Sequence, residues 1–159
     1  MILPIAASVV WVDFFVILYS RFQSLGKSLD LWYSEFGIVA VLSDCLVIVL
    51  GIMIAMFFVP GASPLVLVGV SVLVQVVHDI AFYYGVVLPI PSGYNRMIDV
   101  FKKYSAENSW KILVADALMI ASTVVGADLL RSIPSEGQWF IFLLGIYALT
   151  YAIYTRASK

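Results

Sequence analysis

The chain has 159 residues, 63% of them hydrophobic and 12% charged, with a mean hydropathy of +1.04. Soluble domains run near half apolar and a quarter charged, and a globule of this size has too little interior to hide such a surface, so the surrounding solvent is expected to be lipid. The net charge of −1 gives no sign of nucleic-acid binding, and none is expected; the single cysteine, Cys45, excludes an intramolecular disulfide and any multi-cysteine metal site.

In chain order, the first apolar run is Ile2–Tyr19. It lacks the basic start of a secretory signal and is interrupted by Asp13, so it reads as a permanent span. Four more runs of spanning length follow: Gly37–Val59, Pro64–Leu88, Trp110–Leu130 and Trp139–Tyr154. They are continuous rather than alternating, unlike the strands of a membrane barrel. Pro60-Gly61-Ala62-Ser63-Pro64 reads as a tight turn, and residues 131 to 138 as a second short link. The loops 20–36 and 89–109 are longer, are rich in charge, and are each expected to contain a short amphipathic helix. In the second, Met97, Val100, Phe101 and Tyr104 share one face, which suits a membrane surface.

Charge sets the expected orientation. Arg21, Lys27, Arg96, Lys102, Lys103, Lys111, Arg156 and Lys159 fall on one side of five spans and Arg131 alone on the other. Positive residues stay inside, so the N-terminus is expected outside, with the C-terminus and both long loops cytoplasmic.

The two loops echo each other. Lys27-Ser28-Leu29-Asp30-Leu31-Trp32 and Arg96-Met97-Ile98-Asp99-Val100-Phe101 both read basic, any, Leu or Ile, Asp, Leu or Val, aromatic. A Tyr, a Ser and a Glu follow in each (Tyr33, Ser34, Glu35; Tyr104, Ser105, Glu107), and nine residues after each Glu an Asp sits in an apolar run, Asp44 and Asp116. Upstream, Asp13 matches Asp79. The offset grows in order, 66 residues at Asp13/Asp79, 69 at Lys27/Arg96, 71 at Tyr33/Tyr104 and 72 at Asp44/Asp116. Small insertions after a tandem duplication give this pattern. The expected fold is therefore a single all-α integral membrane domain of about five transmembrane helices. Helices one to four form repeats A (about 5–59) and B (about 70–130), related by a pseudo-twofold axis along the membrane normal. Residues 138–159 add a fifth helix and a cytoplasmic tail.

Asp13, Asp44, Asp79 and Asp116 each lie in one duplicated span, roughly 9–14 Å inside its cytoplasmic end at 1.5 Å per residue. A charged Asp at mid-span costs about 2.5–3.5 kcal/mol, so these residues are expected to face the bundle interior. Ser71, Gln75 and His78 share a face beside Asp79, and small residues accompany the acids: Gly51 with Asp44, and Thr123, Gly126 and Ala127 with Asp116. Glu35 and Glu107 are expected at helix starts, capped by Ser34 and Ser105.

Three functions fit these residues. In the first the acids are structural, with Lys27 and Arg96 as charge partners, and the chain is an assembly component of a membrane or membrane complex. In the second the layer Asp13, Asp44, Gln75, His78, Asp79 and Asp116 handles a proton or cation in a small transporter. In the third, His78 and Asp79 help hold a divalent cation of a lipid-modifying enzyme. His78, the single histidine, reads more simply as a hydrogen-bonded core residue. No phosphate-binding loop, dinucleotide fingerprint, nucleophile elbow, zinc-protease motif or potassium-channel filter is present; enzymatic activity and a bound cofactor are not expected. The expected partners are the lipid bilayer and other membrane subunits or further copies of the chain.

The segments His78–Tyr83, Pro91–Tyr104 and Asp116–Ile120, within residues 75 to 125, resemble small multi-pass membrane proteins of large algal DNA viruses and of protists. The resemblance implies a viral or organellar membrane component. It carries no activity, cofactor or site residue.

Overall fold

A computed structural model describes residues 2–23 and 26–155. Arg156 and Lys159, two of the residues that set the expected orientation, lie outside that range. Among the described residues all regular structure is helical: α1 (Ile2–Phe22), α2 (Lys27–Phe36), α3 (Ile38–Phe58), α4 (Pro64–Phe82, continued by a π-helical turn Tyr83–Val87), α5 (Arg96–Asn108), α6 (Lys111–Leu130) and α7 (Ser135–Tyr154). Five of these, α1, α3, α4, α6 and α7, are long and apolar enough to cross a membrane.

Local chemistry sets the ends. Ser63 caps α4 by accepting from the Val66 N–H at 3.5 Å, and Pro64 supplies the first helical residue. Asn95 caps α5 through the N–H groups of Met97 and Ile98, at 2.9 and 3.2 Å. The last helix starts a turn earlier than its hydrophobic run. The Gln138 amide donates to the carbonyls of Leu130 and Ile133 at 3.1 and 2.8 Å, tying off the end of α6.

The long helices α1, α3, α4 and α6 form a four-membered ring, in which α1 meets α3 and α6, and α4 meets α3 and α6. Ile5, Val9, Ile17, Ile48, Ile52 and Ile120 fill its centre. Helix α7 packs on α1, and among the described residues no fifth long helix packs on α4 in the same way. The difference shows in burial, 44% of α1 against 11% of α4.

Helices α2 and α5 lie antiparallel across one end of the ring. The carboxylate of Glu107, in the last turn of α5, accepts from the N–H groups of Lys27 and Ser28 at 2.9 and 2.8 Å, capping the start of α2. Glu35, in the last turn of α2, pairs with Arg96 at the start of α5. The two contacts form a reciprocal clasp. The hydroxyl and backbone N–H of Ser28 hold the Glu107 carboxyl below the usual range.

Two expectations change here. Glu35 and Glu107 close α2 and α5 instead of opening the next helices, and Ser34 and Ser105 cap neither; Ser34 donates to the Leu31 carbonyl at 3.3 Å. The cause is a sharp corner after each acid, at Gly37 (φ 50°, ψ −124°) and Ser109 (φ 48°, ψ −129°). The apolar face of α5 also lies against protein. Val100 is buried, and the Phe101 ring stands 4.8 Å from Trp32 and 5.9 Å from Phe82. Two amphipathic helices laid side by side bury each other's stripes.

Ser109 adopts a backbone conformation that glycine reaches without strain and serine does not. Ser109→Gly is expected to stabilise the fold by about 1 kcal/mol. Denaturant titration in detergent checks this; a lower midpoint would mean that the Ser109 side chain supports the corner.

Candidate functional site

The four intrahelical aspartates converge below the clasp as two pairs. In the first half, Asp13 on α1 is fully buried and accepts from the Cys45 thiol at 3.7 Å. Asp44 on α3 accepts at Oδ2 from both Trp32 Nε1 and the Tyr33 hydroxyl, each at 3.2 Å. Both donors come from α2, which lies across the end of α3 because the chain turns at Gly37. Burial, followed by the nearby carboxylates of Asp44 and Asp13, pushes the Tyr33 phenol well above its usual range, so it stays a donor.

In the second half, Asp79 on α4 lies within hydrogen-bonding reach of Asp116 on α6. Gln75 Nε2 donates to Asp79 Oδ1 at 2.7 Å, and His78 Nδ1 lies 3.1 Å from the same oxygen. Asp79 Oδ2 is buried without an N–H or hydroxyl donor. A carboxyl oxygen accepts only, so Asp79 and Asp116 bond to each other when one of them carries a proton. Phe101, which the repeat expected from sequence would match to Trp32, offers no side-chain N–H to Asp116. Tyr104 stands near Asp116 and Asp44, and burial raises its phenol too.

The expected charge partners are elsewhere. Among the described residues no Lys or Arg forms an ion pair with Asp13, Asp44, Asp79 or Asp116. Arg96 is held by Glu35, and the Lys27 backbone N–H by Glu107. Both basic residues open the short helices of the clasp, and the acids they meet are those that close the neighbouring helix. His78 is not a core residue either. Its side chain is 45% exposed and its ring stacks on Phe82 at 5.7 Å. The buried residues on α4 are Ser71 and Gln75, and the same spacing of four leads to the partly buried Asp79, so His78 falls one residue outside that stripe.

Among the described residues no three His, Cys, Asp or Glu side chains converge as a metal-ligand set. His78 and Asp79 offer a pair, and His78 Nδ1 is turned toward Asp79 itself. That geometry lends the lipid-modifying reading no support.

Sequence reasoning missed a cavity of about 300 Å³ at the end of the ring opposite the clasp, lined among others by Ile5, Ile52, Met56, Leu67 and Val124. Leu67 is one turn above Ser71, so the α4 stripe runs from the cavity to the acids. Ser71 and Gln75 are almost fully buried, and among the described residues Ser71 Oγ and Gln75 Oε1 have no hydrogen-bond partner. Gly51 on α3 faces the amide, and a Cβ there would meet Gln75 Oε1 at an ordinary contact of 3.4 Å.

No family model, curated protein or solved structure matches this chain. Function therefore rests on the site geometry alone.

Proposed function

We propose that this chain is a multi-pass membrane protein in which two tandem copies of a three-helix unit enclose a carboxyl layer that takes up and releases protons, as the working part of a small proton- or cation-handling transporter. The observation that carries the reading is the pairing of Asp79 with Asp116 in a half that supplies no Lys or Arg counter-charge. A carboxyl pair of this kind changes state by gaining or losing a proton. His78, half-exposed beside Asp79, is placed to pass that proton outward. The unpartnered oxygens of Ser71 and Gln75 suit water between the cavity and the pair.

Several features support the tandem copies. The units α1–α2–α3 and α4–α5–α6 have the same order of long, amphipathic and long helix. The corners at Gly37 and Ser109, 72 residues apart, share one uncommon backbone conformation. The clasp exchanges matching ends of α2 and α5, as an isologous contact does. The basic residues flanking α2 and α5 favour placing the clasp in the cytoplasm and the cavity outside.

A structural or assembly role is favoured by the first half alone, where Trp32 and Tyr33 satisfy Asp44 and leave it little to do. Proton flux into proteoliposomes under an imposed pH gradient separates the readings. Wild type should carry protons, and Asp79→Asn and Asp116→Asn should reduce flux to that of protein-free liposomes, while Asp44→Asn retains part of it. No flux from correctly inserted wild type overturns the proton-handling reading and leaves the assembly role.

A further inference from the structure

At the clasp end, where α1 and α7 finish, Arg21 is 94% buried by residue (6% exposed). A guanidinium keeps its charge at any physiological pH and carries five N–H donors in a planar fork. Few are used. One Nη donates to the Ile153 carbonyl at 3.0 Å and the other meets Asp30 at 3.5 Å, the edge of hydrogen-bond range. Asp30 is itself 38% exposed, so water competes for it. Nε is buried and, among the described residues, has no partner. The Tyr33 ring, 5.9 Å from the guanidinium carbon, adds a weak contact from one side.

The remaining side is open. A cavity of about 230 Å³ is lined by Arg21, Tyr33, Ser34, Ile153, Tyr154 and Thr155. Tyr154 stands at its edge, and the same ends of α1 and α7 carry the exposed aromatics Tyr19, Phe22 and Tyr151. Aromatic residues of this kind collect at the headgroup level of a bilayer. A buried, permanent cation with an idle donor, facing a polar-edged cavity, calls for an anion with at least two oxygens in one plane.

We infer that the Arg21 cavity binds a phosphate group, gripped by the guanidinium fork at the membrane face that carries α2 and α5. A phosphate offers paired oxygens at the spacing of two guanidinium donors. It would use the Nη N–H groups not spent on Ile153, with the Tyr154 hydroxyl at the rim. Asp30, the acid paired with Arg21 among the described residues, is held at 3.5 Å and partly exposed, and would yield to an anion that binds both donors. The phosphate could belong to a lipid headgroup, its chains lying along the aromatic girdle, or be free in solution. The inference does not depend on the acid layer.

The test uses the full chain in a zwitterionic detergent without phosphate, with melting temperature and titration calorimetry as readouts. Two probes are compared, inorganic phosphate and the soluble short-chain lipid dihexanoyl phosphatidylglycerol. At least one is expected to raise the melting temperature and bind at one site per chain. Binding of the lipid alone assigns a headgroup, and binding of inorganic phosphate alone assigns a free anion. Arg21→Gln should weaken binding at least tenfold. Arg21 is buried and its loss could unfold the chain, so Ser34→Trp serves as a second variant. Ser34 is exposed on α2, and the larger ring would fill the cavity while leaving Arg21 in place. Failure of both probes to bind wild type, or undiminished binding by folded Ser34→Trp and Arg21→Gln, overturns the inference.

Discussion

Gly145→Ala is expected to lower stability by about 1–3 kcal/mol, the usual cost of forcing a methyl group into a filled interface. Gly145 is buried on α7 where that helix crosses α1. A Cβ there would sit 2.6 Å from Val10 Cγ1 and 3.1 Å from Trp11 Nε1. Neither neighbour yields readily. Val10 is β-branched and restricted to one rotamer in a helix. The Trp11 indole is pinned by its bond to the Ile141 carbonyl at 3.0 Å, one turn from Gly145 on the same helix. The clash therefore falls on the helix axes, and α7 shifts away from α1. Small residues allow close backbone approach between apolar helices, which have no water to drive them together. Denaturant titration in detergent, read by tryptophan fluorescence, measures the loss. Gly69→Ala is the control, since a Cβ at Gly69 would meet nothing within 4 Å; its midpoint should hold or rise slightly. Equal midpoints for the two variants would show that α7 does not press on α1 at this depth.

The second large effect is expected from Trp32→Phe. The new ring keeps the edge contacts with Phe36 and Phe101, at 5.1 and 4.8 Å. It removes the Nε1–H donor to Asp44. A buried acceptor that loses a donor costs about 1–3 kcal/mol, more when the acceptor is charged. Tyr33→Phe removes the second donor and should cost a similar amount, and the double variant more than either. The informative comparison is Phe101→Trp in the other half. If position 101 matches position 32, the added indole gives Asp116 a donor that it lacks, and proton flux should fall because the Asp79–Asp116 pair becomes locked as Asp44 is. A Trp32→Phe protein with an unchanged midpoint would show that Asp44 is served from elsewhere.

The long helices were legible from sequence because lipid-length apolar runs leave few alternatives. Ile38–Phe58 and Lys111–Leu130 differ from the expected spans by a residue or so at each end. The amphipathic helices in the loops were legible too, from Trp32 and Phe101 at matching places in their motifs. What those helices touch was not. Glu107 caps α2 from about 80 residues away, and local spacing carries no trace of so remote a bond. The partners of Lys27 and Arg96 were misjudged for the same reason: the nearest acids in depth were not the nearest in space. His78 and Asp79 lie on either side of the point where two turns from Ser71 end, so spacing alone favours His78, whereas the structure buries more of Asp79, which Gln75 holds. The cavity had no signal, since its lining, mostly apolar with Asp128 and Arg131 at one edge, comes from four helices and the link after α3, far apart in sequence.

The clasp also limits how the molecule can move. Glu107 with the start of α2, and Glu35 with Arg96, tie the halves at two points on one end, while the opposite end has a hollow and only the short link Pro60–Ser63 between α3 and α4. The hollow leaves that end with room between the two halves. Any tilt of one half against the other pivots on the tied end and grows with distance from it, so the width of the hollow registers the angle between the halves while the carboxyl pairs, close to the pivot, change separation little. A spin-label pair across the hollow, at Met56 and Leu129, would report that angle far more sensitively than a pair set beside the clasp.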